Sequence, residues 1–106
     1  MKRSRLRPQA ELDLIAMSTW YAERGGPALA ARFFDAARVA LVAVEQTPGI
    51  GSLRLGHIAG REGLRSWPAT PFPARWLYFE RDDHLDVVRL LGERQDIATI
   101  LHDEGL

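Results

Sequence analysis

The tripeptide Gly25-Gly26-Pro27 constrains the fold of this chain more than any other feature. Paired glycines end one helical pattern, and a proline, which suits the first turn of a helix, opens the next. Before the break, Ala10, Leu14, Met17 and Tyr21 recur at helical spacing from a start marked by Pro8. After it, Ala30, Phe33, Phe34, Ala37, Leu41 and Val44 form a second apolar stripe. The run "TPGIG" stops that helix at Pro48. Two amphipathic helices with so short a link fold back on one another as an antiparallel hairpin. Their apolar stripes have to be buried against another layer.

That layer is a sheet whose strands flank the hairpin in sequence. Residues 2–7, with Arg3, Arg5 and Arg7 alternating, predict a short first strand. Residues 49–63, "GIGSLRLGHIAGREG", hold five of the nine glycines and read as a loop. A phosphate-cradling loop needs a strand before it and a helix after it, and here the order is reversed. "GLRSW", "ARWLYFE" and "HLDVVRLL" predict three further strands. "PATPFP" interrupts them because proline cannot donate to a ladder, and "RDDH" is a hairpin turn. Apolar residues on both faces of the last two strands predict helices on one face and partial cover on the other. Gly92 closes the last strand, and Asp96 caps a final short helix, "IATILHDEGL". The order β-αα-βββ-α is an α+β fold, a helical hairpin on a small, mostly antiparallel sheet, with residues 1–106 as one domain.

Composition narrows the function classes. At 46% hydrophobic and 26% charged the chain is globular and able to bury one core. Without cysteine it has no disulfide and no thiolate zinc site, which fits a reducing compartment. The basic N-terminus is not followed by the apolar segment of a signal peptide, and the longest apolar run, Val39 to Val44, is far too short to span a bilayer. The expectation is a soluble, cytoplasmic protein with no membrane partner. A net charge of zero gives no global pull toward nucleic acid.

Chemistry has few candidates. His57, His84 and His102 fall in a loop, a turn and a tail, without metal-ligand spacing, so neither metal nor cofactor is expected. The serines lack a nucleophile-elbow setting, and Asp82-Asp83 and Asp103-Glu104 read as solvated surface. Arg65, Arg75, Arg89 and Arg94 lie on or just past the strands. Clustered arginines can fork onto phosphate, and Trp67, Trp76, Tyr78 and Phe79 can stack on bases. The alternative, favoured by the sequence, makes the aromatics core and the arginines a solvated strand edge. On the hairpin, Leu12, Ile15, Val39 and Val42 point away from the sheet-facing stripes, and clustered exposed aliphatics mark partner sites. Free sheet edges offer a second way to bind, by strand addition.

"RPQAELDLIAMSTWY", with A-x-x-D-L on Ala10, Asp13 and Leu14, resembles the first helix of the ParE toxins. "P-G-x-G" at Pro48, Gly49 and Gly51, then "GLRSWP", "ARWLYFE" and "VVRLLGERQD", follow in the order seen in the RelE/ParE superfamily of toxin–antitoxin toxins. The resemblance covers nearly the whole chain and implies the α+β fold read above. RelE-like members are ribosome-dependent mRNA endonucleases with basic residues and a proton-transferring side chain on the sheet. Arg75 and Arg94 match two of their arginines, and Arg65 lies near a lysine position, but Ile100 stands about where their C-terminal tyrosine would be and Glu93 is acidic. Arginine does not readily exchange protons near neutral pH. The pattern therefore resembles ParE, which inhibits DNA gyrase by protein–protein contact and performs no chemistry. The resemblance implies a target surface including Arg65, Arg75, Arg94 and the tail from Asp96. It further implies neutralisation by a ParD-like antitoxin on the hairpin's Leu12, Ile15, Val39 and Val42, and operator binding through that antitoxin. The alternatives are a RelE-type endonuclease, with His84 or His102 moving protons, and a non-toxic relative that only binds antitoxin.

Overall fold

A computed structural model describes residues 1–104, so the end of the expected C-terminal helix over 97–106 lies outside the described residues. Strand β1 spans Arg3–Leu6, and helix α1 spans Pro8–Gln46. A 3-10 turn, Pro48–Ile50, and a short helix α2, Arg54–Ile58, lead to β2, Leu64–Pro68. Strands β3, Ala74–Glu80, and β4, His84–Gly92, and helix α3, Ile97–Glu104, complete the order.

Helix α1 is two arms broken at Gly26, whose φ of 77° and ψ of −177° are non-helical. That backbone region belongs almost solely to glycine, so the sequence break and the structural break coincide. Pro8 starts the first arm, where its missing N–H costs nothing. The arms meet through Tyr21 and Phe33, whose ring centroids are 4.9 Å apart, with Phe72 of the β2–β3 connection against both.

The sheet order is β1-β4-β3-β2, with β1 parallel to β4 and the other neighbours antiparallel. A bulge at Val88 shifts the β3–β4 register between Leu77 and Tyr78. One face carries Trp76, Tyr78, Leu85, Val87 and Leu90, which close over Ala10, Phe33, Ala37, Ala40 and Val44 of α1. Trp76 is fully buried and its Nε1 donates to the Ala37 carbonyl at 2.9 Å, so the largest core side chain satisfies its one polar atom against the helix it packs. The opposite face carries Leu64, Leu77, Val88 and Leu91 beneath Ile97 and Leu101 of α3, with Leu55 of α2 alongside. The cover expected for that second face is therefore α2 and α3.

Two expectations change. The glycine-rich stretch is not a plain loop, because α2 forms inside it. Gly56 allows this: a Cβ there would stand 2.4 Å from the Leu64 carbonyl oxygen, so only glycine lets α2 lie this close to β2. Phe34, placed on the sheet-facing stripe, is half exposed, and the buried stripe of the second arm runs through Phe33, Ala37, Ala40 and Val44 instead.

Candidate functional site

The strand arginines do not form one cluster. Arg65 pairs in register with Tyr78, whereas Arg75 pairs with Leu91. Tyr78 and Leu91 belong to opposite cores, so the pleat sends Arg65 and Arg75 to opposite faces. Arg65 Nη1 donates to the carbonyls of Gly51 and Gly49, at 2.9 and 3.3 Å. Tyr78 holds the same turn, its hydroxyl donating to the Pro48 carbonyl at 2.7 Å and accepting from the Gly51 N–H at 3.0 Å. Burial raises the Tyr78 pKa above its usual value, the Gly51 contact opposing that. The "PGIG" signature is thus a turn clamped from the sheet, and Arg65 is one of its clamps.

Arg75 Nε donates to the buried Ser66 Oγ at 3.1 Å, and its Nη1 stands 3.4 Å from Glu93. Arg94, in the turn after β4, is exposed. Arg89 is nearly buried and belongs to α1: its Nε and Nη2 donate to the two oxygens of Asp13 at 2.7 and 2.9 Å, and Asp13 also accepts the Leu90 N–H at 3.1 Å. Sequence reasoning left this ion pair out. The signal was present, because Ala10, Asp13, Leu14 and Met17 share i, i+3, i+4, i+7 spacing, which puts a carboxylate on a core-facing stripe.

His84 cannot serve the Arg75 region. Arg75 stands at the end of the sheet where β3 begins and β4 finishes, and His84 starts β4 at the opposite end. Seven residue steps along β4, from His84 to the Leu91 that pairs with Arg75, separate the levels by about 23 Å. There His84 Nδ1 lies 2.6 Å from Asp83, whose carboxyl is held below its usual pKa chiefly by that contact. His102, near the end of α3, is exposed, while Arg61 Nη2 reaches the Leu101 and His102 carbonyls at 3.2 and 3.4 Å. Among the described residues, no three histidines or carboxylates come together as a metal cage.

The hairpin set divides as well. Leu12, Ile15 and Val39 are exposed by 57%, 62% and 53%, but Val42 is half-buried. Val39 lines a groove between the second arm of α1 and β2, together with Ala36, Ala40, Ala43, Trp67 and Pro68. Leu12 and Ile15 belong to the first arm, apart from that groove. The sheet edges are partly taken. On β2, Ser52 bridges Ser66 and Pro68 has no N–H to give. On β1, Glu45 accepts from the Ser4 N–H and hydroxyl at 2.9 and 2.7 Å. Strand addition at either edge would first displace these contacts. No helix of the described residues is long and apolar enough to cross a membrane.

The chain is similar to known proteins in one consistent way. No curated protein sequence matches it. A solved structure titled "Chromosomal ParDE TA system from P. aeruginosa" has the same fold, with a TM-score of 0.74 at 17% identity over 87% of this chain and 96% of that one. The family model described as "ParE toxin of type II toxin-antitoxin system, parDE" matches residues 5–97, from β1 through the turn after β4 to the start of α3. The chain belongs to the ParE toxin family of type II toxin–antitoxin systems.

Proposed function

We propose that this ParE-family protein poisons DNA gyrase through protein–protein contact, without chemistry of its own, and is held inactive in the cytoplasm by a ParD-like antitoxin. Family membership supports the coarse reading. The observation that carries the finer one is the setting of Arg75. Its guanidinium is engaged by Ser66 and Glu93, and His84, the histidine on the strands, sits at the far end of the sheet. Phosphate gripped near Arg75 and Arg94 would have no histidine or lysine within reach on the adjoining strands, Tyr78 lies on the opposite face, and the carboxylate at hand, Glu93, is paired with Arg75. A general acid or base has to lie within hydrogen-bond reach of the atom it serves.

Arg94, exposed and next in sequence to the Glu93 that pairs with Arg75, and the α3 tail from Asp96 are the target-facing candidates on this reading. Arg65 contributes by holding the turn that ends α1. The antitoxin would lay an amphipathic segment on the hairpin, using Leu12 and Ile15 on one arm and Val39 with its groove on the other. Val42 contributes least, being half-buried.

The test is gyrase supercoiling of relaxed plasmid with ATP, titrated with purified protein and then with the antitoxin encoded beside it. Lost supercoiling with accumulating cleaved DNA, reversed by the antitoxin, is expected. Unchanged supercoiling by a folded protein that still arrests growth, with codon-phased mRNA ends, would overturn the proposal in favour of ribosome-dependent cleavage. No growth arrest at all would leave a relative that only binds antitoxin.

A further inference from the structure

The half of the second sheet face that α2 and α3 leave open is edged by arginine. Arg3 stands beside His84 and Arg5 beside Asp86 in the parallel β1–β4 register. Asp86 in turn pairs with Phe79, which packs with the second core, so Arg3 and Arg5 lie on the face away from α1. The apolar cluster beneath α2 and α3 draws on β2, β3 and β4 and on no residue of β1. Both arginines are exposed. Neither makes a side-chain hydrogen bond or ion pair with a described residue; Arg5 acts on Asp83 only through its field.

Their neighbours are occupied. Arg7 forks onto Asp86 at 2.9 and 2.8 Å, and Arg81 reaches Asp86 at 3.1 Å while its guanidinium stacks over Phe79 at 4.6 Å. Lys2 pairs with Glu80. What remains is a pair of free guanidinium forks, two residues apart on one strand, on a floor already built from arginine–carboxylate pairs.

We propose that the β1 edge is a docking surface for an acidic, extended segment of a partner protein, read by Arg3 and Arg5. Side chains two residues apart on one strand face are separated by about 6.5 Å, the spacing of alternate carboxylates in an extended peptide. Guanidinium forks match carboxylates two bonds at a time. Nucleic acid fits less well. A continuous phosphate backbone would run on from the two arginines past Glu80, Asp83 and Asp86, whereas a short segment with two alternate carboxylates need meet only Arg3 and Arg5; the chain's net charge of zero gives neither ligand a long-range attraction. The segment binds through side chains on the open face and not as an added strand, because Glu45 already holds the outward N–H of Ser4. This surface is separate from the helical hairpin and does not depend on the gyrase reading.

The experiment is fluorescence anisotropy of the full chain with a labelled peptide of alternating glutamate and threonine. The glutamine counterpart of that peptide and a labelled oligothymidylate are run beside it. Binding to the glutamate peptide is expected to weaken with salt and to fall about tenfold in the Arg3→Gln, Arg5→Gln double variant, the change for two exposed ion pairs. Arg5→Gln alone, expected to fall about threefold, carries the test if the double variant does not fold. Equal affinity in wild type and variant, equal binding of the glutamine peptide, tighter binding of the oligothymidylate, or no binding at all would overturn the proposal. In the last case, self-association of the double variant would identify the two arginines as guards of an open strand edge.

Discussion

Asp13 joins two parts of the chain that are 76 residues apart. It lies one turn into α1, yet its carboxylate takes two bonds from Arg89 and one from the backbone of β4. Both side chains are about 10% exposed. Removing Asp13 strips the nearly buried Arg89 guanidinium of two charge-assisted bonds and the Leu90 N–H of its acceptor, and such a loss in a buried pair exceeds anything the pair gains over an apolar replacement. Asp13→Ala is therefore expected to cost about 3–5 kcal/mol in urea unfolding, with little change in the slope of the transition. A loss below about 1 kcal/mol would mean the site relaxes to admit water, and that the pair is worth no more than a surface bridge. The carboxylate was visible in the sequence as a misfit on an apolar stripe. Its partner was not, because nothing local tells a strand arginine which helix will cross its strand. The same holds for Arg65 and Arg75. Sequence placed both on strands, but only the register between β2 and β3 sends them to opposite faces.

The elements whose local chemistry is decisive read directly from the sequence. Prolines and glycines marked the ends of β2, β3 and α1, and Asp96 caps α3 through the Thr99 N–H at 3.2 Å and the Thr99 hydroxyl at 2.8 Å. The elements that depend on distant packing did not. Helix α2 is short and glycine-containing, and it is stabilised by lying on Leu64 and beside α3 rather than by its own propensity. The break at Gly26 belongs to the first kind and gives a clean test. A Cβ at Gly26 would meet nothing within 4 Å, so substitution there costs backbone strain alone. Gly26→Ala is expected to destabilise the protein by about 1–3 kcal/mol, read as a lower thermal midpoint with the helical circular dichroism kept. An unchanged midpoint, or a rise in helicity, would show that the two arms can join as one continuous helix instead of a hairpin.

At the scale of the whole molecule the sheet is a shared floor, roofed on one face by the hairpin and on half of the other by α2 and α3. The uncovered half is held by charge rather than by apolar packing, and Asp86 is its centre. It ties Arg7, at the end of β1, to Arg81, at the start of the β3–β4 turn. The Arg7 hydrogen bond, ahead of the Arg81 one, pulls the Asp86 carboxyl below its usual pKa against the opposing effect of burial. A carboxyl whose folded pKa is depressed contributes stability that is complete above its unfolded value, near pH 4, and that fades as pH falls through the folded value. Arg7 and Arg81 are 38% and 47% exposed, so solvent screens much of the attraction and its size is about 1 kcal/mol. Asp86→Asn should therefore be less stable than wild type by about that amount at pH 7. The two proteins should converge as the solution is acidified below about pH 4, because the wild-type group is then protonated as well. Urea midpoints for both, taken from neutral pH down to the acid transition, check this. A difference that stays constant across the range would assign the loss to packing of the amide and not to the ion pairs. Convergence would show that the open half of the sheet is stapled electrostatically, the half on which Arg3 and Arg5 stand free.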